Sequence, residues 1–157
     1  MKGKILPALF CAAAAACTLL FAACGAAKTG GGGGQSAQEA TYMYIYSNGN
    51  RIEAVLEEGG ASSALVGRLE EGDVVYTADD YGGFEKVGAL GFGLPASDER
   101  ITARAGDIML YNGNQIVIFY GTNSWAYTRL GRVTGLGGDE LKEALGEGVQ
   151  TVRLSLK

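Results

Sequence analysis

No histidine occurs anywhere in the chain. Imidazole is thereby excluded as a metal ligand, as a general base and as the activator of a serine or cysteine nucleophile. The cysteines number three, and all of them (Cys11, Cys17 and Cys24) fall near the amino terminus. Everything after Cys24 is therefore without a thiolate metal site or a disulfide. Basic residues are few and scattered, 13 Lys and Arg against 17 Asp and Glu. A nucleic-acid binder needs clustered cations to displace counterions from phosphates, so nucleic acid is excluded as a partner. Asp79-Asp80 and Asp98-Glu99 are neighbouring carboxylates, but no calcium-loop pattern surrounds them and no metal or cofactor is expected. Gly88, Gly91 and Gly93 run into Leu94-Pro95 instead of a helix, so they lack the context of a phosphate-cradling loop.

What is present begins with a leader. Lys2 and Lys4 form a positive start, Ile5 to Phe21 is uncharged and apolar, and Leu20-Phe21-Ala22-Ala23-Cys24 supplies small residues before a cysteine. This pattern reads as a signal peptide over residues 1–23, with Cys24 the acylated new amino terminus of a lipoprotein. Phe21 replaces the leucine usual at that position. An uncleaved membrane anchor and a cut before Cys17 are the alternatives. The first leaves the alanine-rich end and Cys24 without a role, and the second leaves Leu19-Leu20-Phe21 in the mature arm. Loss of two lysines with the leader takes the formal net charge from −4 to −6. Residues 24–40 include the run Gly30 to Gly34 and have too little apolar surface to offset the entropy of ordering, so they form a spacer.

Residues 41–157 form one domain, long enough to bury a core without covalent staples. Tyr42 to Tyr46 and Arg51 to Leu56 flank Asn48-Gly49, and Ile108 to Tyr111 and Gln115 to Tyr120 flank Asn112-Gly113-Asn114. Both read as β-hairpins, because Asn and Gly tolerate positive φ. Between them, Ser62 or Ser63 caps a helix that carries Leu65, Val66 and Leu69 and ends near Gly72. Asp73 to Ala78, Phe84 to Gly91, Ile101 to Arg104 and Ala126 to Val133 are further strands. Gly138 to Gly146 is a short helix with an acidic start, and Val149 to Leu156 is the closing strand. Many short strands with two short helices predict a mainly β fold, a closed barrel without free edges.

The run Tyr127-Thr128-Arg129-Leu130-Gly131-Arg132-Val133 into the Asp139 helix and the last strand resembles the end of cyclophilins. Asn114 to Tyr120 resembles the strand that carries their active-site glutamine. Tyr81 to Gly88, Asp98 to Ile101 and Gly106 to Tyr111 resemble the bacterial cyclophilin-like family, and the likeness covers about Tyr42 to Leu156. It implies that Lys86, after Phe84, takes the place of the arginine that polarises a prolyl amide. It likewise implies that Gln115 is the glutamine, Val117 the pocket phenylalanine and Trp125 the pocket tryptophan. Lysine lacks the planar fork of arginine, Val117 is smaller than an aromatic ring, and the pocket histidine has no counterpart.

Arg100 is a candidate to bind a ligand carboxylate, or else an ion-pair partner of Asp98, Glu99 or Asp107. Tyr120, Trp125 and Tyr127 either line a pocket mouth or fill the rim of the barrel. The expectation is an extracytoplasmic module, monomeric and lipid-anchored in a bacterial envelope, binding a peptide or small molecule. A weak prolyl isomerase using Lys86 and Gln115 is the alternative, and a purely structural envelope protein a third. Labelled fatty acid should enter the wild-type chain and not Cys24→Ala; equal labelling of the two would remove the lipoprotein assignment.

Overall fold

Two Asn-Gly corners organise the chain locally. Asn48 and Gly49 have φ of 48° and 76°, and Asn112 and Gly113 have φ of 50° and 71°. That left-handed backbone matches the twist of two antiparallel strands, and it is tolerated by asparagine and by glycine. In the computed structural model, which describes residues 39–157, the first corner joins β1 (Thr41–Ser47) to β2 (Asn50–Leu56). The signal peptide, Cys24 and the spacer up to residue 38 lie outside the described residues. Next come α1 (Gly60–Glu71), β3 (Val74–Tyr81), β4 (Glu85–Ala89) and β5 (Glu99–Ala103). The second corner joins β6 (Asp107–Tyr111) to β7 (Gln115–Phe119), before β8 (Asn123–Val133), α2 (Gly138–Leu145) and β9 (Gln150–Ser155).

The order across the sheet is β2-β1-β9-β3-β4-β7-β6-β8-β5, and every pairing is antiparallel. A further pairing of β2 with β8 returns the series to its start and leaves β5 attached to the outside of β8. At this seam Gly131 lies opposite Leu56, where a Cβ would collide with the Val55 carbonyl oxygen. The close approach of the two backbones therefore depends on glycine at that position.

Alternation along the strands divides the buried residues into two clusters. Met43 and Ile45, Ile52 and Ala54, Ile108 and Leu110, and Ile116 and Ile118 share one core with Leu65 and Leu69 of α1 and Leu141 and Leu145 of α2. The opposite face of β6, β7 and β8 carries a smaller cluster of Met109, Val117, Phe119 and Tyr127 with Ala103 of β5. Helix α2 is held as its sequence requires, with the Glu140 carboxylate accepting from Gly137 N–H at 3.0 Å and Gly146 ending it at φ 81°. Helix α1 starts earlier than a serine cap would place it, after Gly59. Ser62 is buried inside the helix and donates its hydroxyl to the Leu130 carbonyl at 3.0 Å, fastening α1 to β8 instead of capping it.

Lys86 is the largest fully buried side chain, and it faces the main core. Its Nζ lies 2.7 Å from Asp80 Oδ1, directly across the β3–β4 ladder, and donates to the Gly148 carbonyl at 2.7 Å. The same carboxylate accepts from the Tyr120 hydroxyl at 3.0 Å and from Gly148 N–H at 2.7 Å. Burial raises the Asp80 pKa, but the hydrogen bonds from Lys86, Gly148 and Tyr120 outweigh it and hold the carboxyl below its ordinary value. The stability this supplies is present above the ordinary carboxylate pKa and is lost as pH falls through the lowered one. Lys86 is fully buried and Asp80 a quarter exposed, so Lys86→Ala leaves a partly solvated carboxylate and should lower the unfolding free energy by about 2 kcal/mol in urea titrations. A loss below about 1 kcal/mol, the size of a surface pair, would mean that this network does not hold the fold.

Candidate functional site

The outer face that carries the smaller cluster also forms a cleft of about 370 Å³. That volume lies in the range of small-molecule sites. Each strand contributes through its alternate residues. Strand β4 presents Glu85 and Val87, β7 presents Gln115, and β6 presents Tyr111. Strand β8 adds Asn123, Trp125 and Tyr127, while Tyr81 approaches from the end of β3. The register places Val87 opposite Val117 and Tyr111 opposite Gln115, so the walls stand on one continuous ladder.

Packing beneath the cleft is aromatic and apolar. Phe119 stacks on Phe84 with ring centroids 6.5 Å apart, and it meets Tyr127 edge-on at 5.4 Å. Tyr111 meets Tyr127 edge-on at 6.1 Å. The Tyr127 hydroxyl accepts from Asn123 Nδ2 at 3.0 Å, which orients both groups at the wall. Trp125 stands at the rim and is 54% exposed.

One group in this setting is out of keeping with its surroundings. Glu85 is only 6% exposed, and its Oε2 is the single buried side-chain polar atom among the described residues with no hydrogen-bond partner. Desolvation disfavours its charged form and pushes its pKa up to about 7. Its presence, after burial, raises the Tyr127 hydroxyl as well. The cleft lining contains no lysine or arginine to neutralise it.

The residues singled out from sequence divide between the two faces. Gln115, Trp125 and Tyr127 line the cleft. Val117 is buried beneath it and Phe84 backs it, neither forming its wall. Lys86 points the other way, because side chains one residue apart on a strand lie on opposite faces and Glu85 takes the cleft side. Tyr120 is also on the core side, bonded to Asp80. Arg100 is exposed on β5 opposite Ala126 and is not part of the lining. Two of its expected ion-pair partners are engaged elsewhere: Asp98 accepts from the Thr128 hydroxyl at 2.6 Å, and Asp107 is paired with Arg132. Sequence reasoning missed Tyr81, Glu85, Val87, Tyr111 and Asn123. For Glu85 the sequence carried no signal, since which face of β4 lines the cleft is set by contacts with residues far away in the chain.

The raised Glu85 pKa has a thermodynamic consequence. The folded state holds a proton that the unfolded chain has released, so stability should fall as pH rises from about 4.5 to about 7 and then level off. Glu85→Gln should remove that slope and be more stable than wild type by up to about 3 kcal/mol at pH 8, read by urea unfolding across pH. Parallel pH profiles for the two proteins would show that Glu85 is not desolvated in the folded state.

Among curated proteins, none matches the chain. Among solved structures, the solution structure of a hypothetical protein from Archaeoglobus fulgidus has a similar fold, with a TM-score of 0.54 at 16% identity. The alignment covers 75% of this chain and 95% of that one. At that identity the likeness concerns the fold alone. The model of the cyclophilin-like family matches residues 45–157, nearly the whole domain, and the chain belongs to that family.

Proposed function

We propose that this protein is a lipid-anchored envelope module whose cyclophilin-like domain, a closed barrel, binds a small molecule or a peptide side chain in the cleft on its outer face. The observation that carries this reading is the buried Glu85 carboxyl without a partner in an aromatic-walled cleft. A buried polar atom left unpaired costs about 1–3 kcal/mol, and a fold retains such a cost where a ligand repays it. Gln115 and Asn123 add amide groups able to fix a ligand's orientation, and Trp125 adds a half-exposed aromatic ring at the rim. The leader, Cys24 and the glycine-rich spacer favour display of the domain away from a membrane surface.

Prolyl isomerisation is the second reading, and the geometry gives it less support. It needs a cationic donor at the substrate carbonyl, and Lys86 is committed to Asp80 and Gly148 on the opposite face. The full chain should therefore turn over proline tetrapeptides, in a protease-coupled assay, at least about a hundredfold more slowly than a true cyclophilin. Such a deficit corresponds to about 2.7 kcal/mol of transition-state stabilisation. Rates near those of a cyclophilin would make this an isomerase instead.

A further inference from the structure

Four of the side chains around the cleft are aromatic, Tyr81, Tyr111, Trp125 and Tyr127, and the fifth that decides its chemistry is the Glu85 carboxyl. Resting on the reading of this cleft as a binding site, we propose that its ligand carries a compact ammonium group, held by Glu85 as counter-charge and by the aromatic faces around it.

Three observations converge on that chemistry. First, Glu85 supplies an acceptor that nothing in the protein satisfies, since Oε2 has no partner and the lining offers no lysine or arginine. A ligand anion would meet this carboxylate with no compensating cation, whereas an ammonium brings both a charge and donors. Second, ring faces carry negative electrostatic potential and attract cations, most strongly where water is excluded. Ring-to-ring geometry holds Tyr111 and Tyr127 nearly edge-on at 6.1 Å, so neither face is occupied by a parallel neighbour in that pair. Third, the cleft volume of about 370 Å³ accommodates a small amine or the end of a lysine side chain and excludes a folded partner from its depth.

Without a ligand, burial disfavours the ionised carboxyl of Glu85 and pushes its pKa up to about 7. A bound cation takes the place of the carboxyl's proton, so capture of the ligand is coupled to ionisation of the carboxyl. The titratable groups around Glu85 are Tyr81 from β3, Tyr111 from β6 and Tyr127 from β8 in the cleft and, from the core side, Tyr120, whose hydroxyl Glu85 also raises. None of these is a lysine, arginine or carboxylate, which leaves Glu85 as the group whose charge state governs the cleft.

The single tryptophan, Trp125, lies in the cleft and reports on its occupancy by fluorescence. The full chain would be titrated at constant ionic strength with tetramethylammonium, n-butylamine and acetyl-lysine amide. The neutral tert-butanol, the anionic pivalate, glucose and a proline tetrapeptide would serve as controls. The expected result is saturable binding of the cations, at least about tenfold tighter at pH 8 than at pH 5.5, because the carboxyl ionises near pH 7. All three cations keep their charge over this range, so the pH effect reads the protein, and tetramethylammonium, which has no N–H, reads charge without hydrogen bonds. Glu85→Gln should lose at least about tenfold in cation affinity together with the pH dependence. Binding of the lysine amide but not of butylamine identifies a peptide side chain as the source, and the reverse identifies a free amine. Equal binding of a neutral or anionic probe, or cation binding indifferent to pH, would overturn the ammonium assignment while leaving the cleft a binding site. Failure of every probe to perturb Trp125 would overturn both.

Discussion

The pairing of Lys86 with Asp80 is the contact on which the arrangement of the sheet depends. It joins β3 to β4 across the ladder and draws in Gly148 at the entrance to β9 and Tyr120 at the exit of β7. Four separate parts of the chain thus meet at one charge pair whose lysine is fully buried. A lysine so deeply enclosed is tolerated only with a counter-charge and further hydrogen bonds, and here both are provided. Two donors to Asp80 other than the lysine, the Tyr120 hydroxyl and Gly148 N–H, hold the carboxylate in place, so that the ion pair has a single geometry.

The cleft follows from the same strand. With Lys86 turned to the core, Glu85 and Val87 must face outward, because side chains alternate along a strand. An inward lysine therefore places a glutamate under the aromatic face of β6, β7 and β8. The two adjacent ionisable residues have opposite circumstances: Lys86 is fully partnered, and Glu85 Oε2 has none. The first is a solution to burial and the second is an unsolved cost, and the unsolved cost is the one that points to a ligand.

Membership of the cyclophilin-like family describes the scaffold and leaves the chemistry to the site, as is general for folds shared by many functions. Here the cleft differs from a prolyl isomerase site in the charge it presents. Its lining holds one carboxyl and no lysine or arginine, and tyrosines crowd the walls.

Local signals in the sequence were sufficient for the kind and order of the elements, although β3, β5 and β8 run to Tyr81, from Glu99 and from Asn123, beyond the expected bounds. Asn48-Gly49 and Asn112-Gly113 imposed left-handed corners, the acidic start at Asp139 and Glu140 marked α2, and alternation marked β1, β2 and β9, because each of these acts within a few residues. The leader and Cys24 are proposed from a linear pattern too, and they lie outside the described residues. Ser62 was misread as a cap because its partner, the Leu130 carbonyl, is distant in sequence. The resemblance that aligned Lys86 with a catalytic arginine matched position along the chain and not the face of the strand. Only the tertiary structure decided that face, since it depends on where Asp80 and Gly148 arrive from other strands and on whether Glu85 finds a partner. Those are contacts between residues far apart in sequence, and no local pattern encodes them.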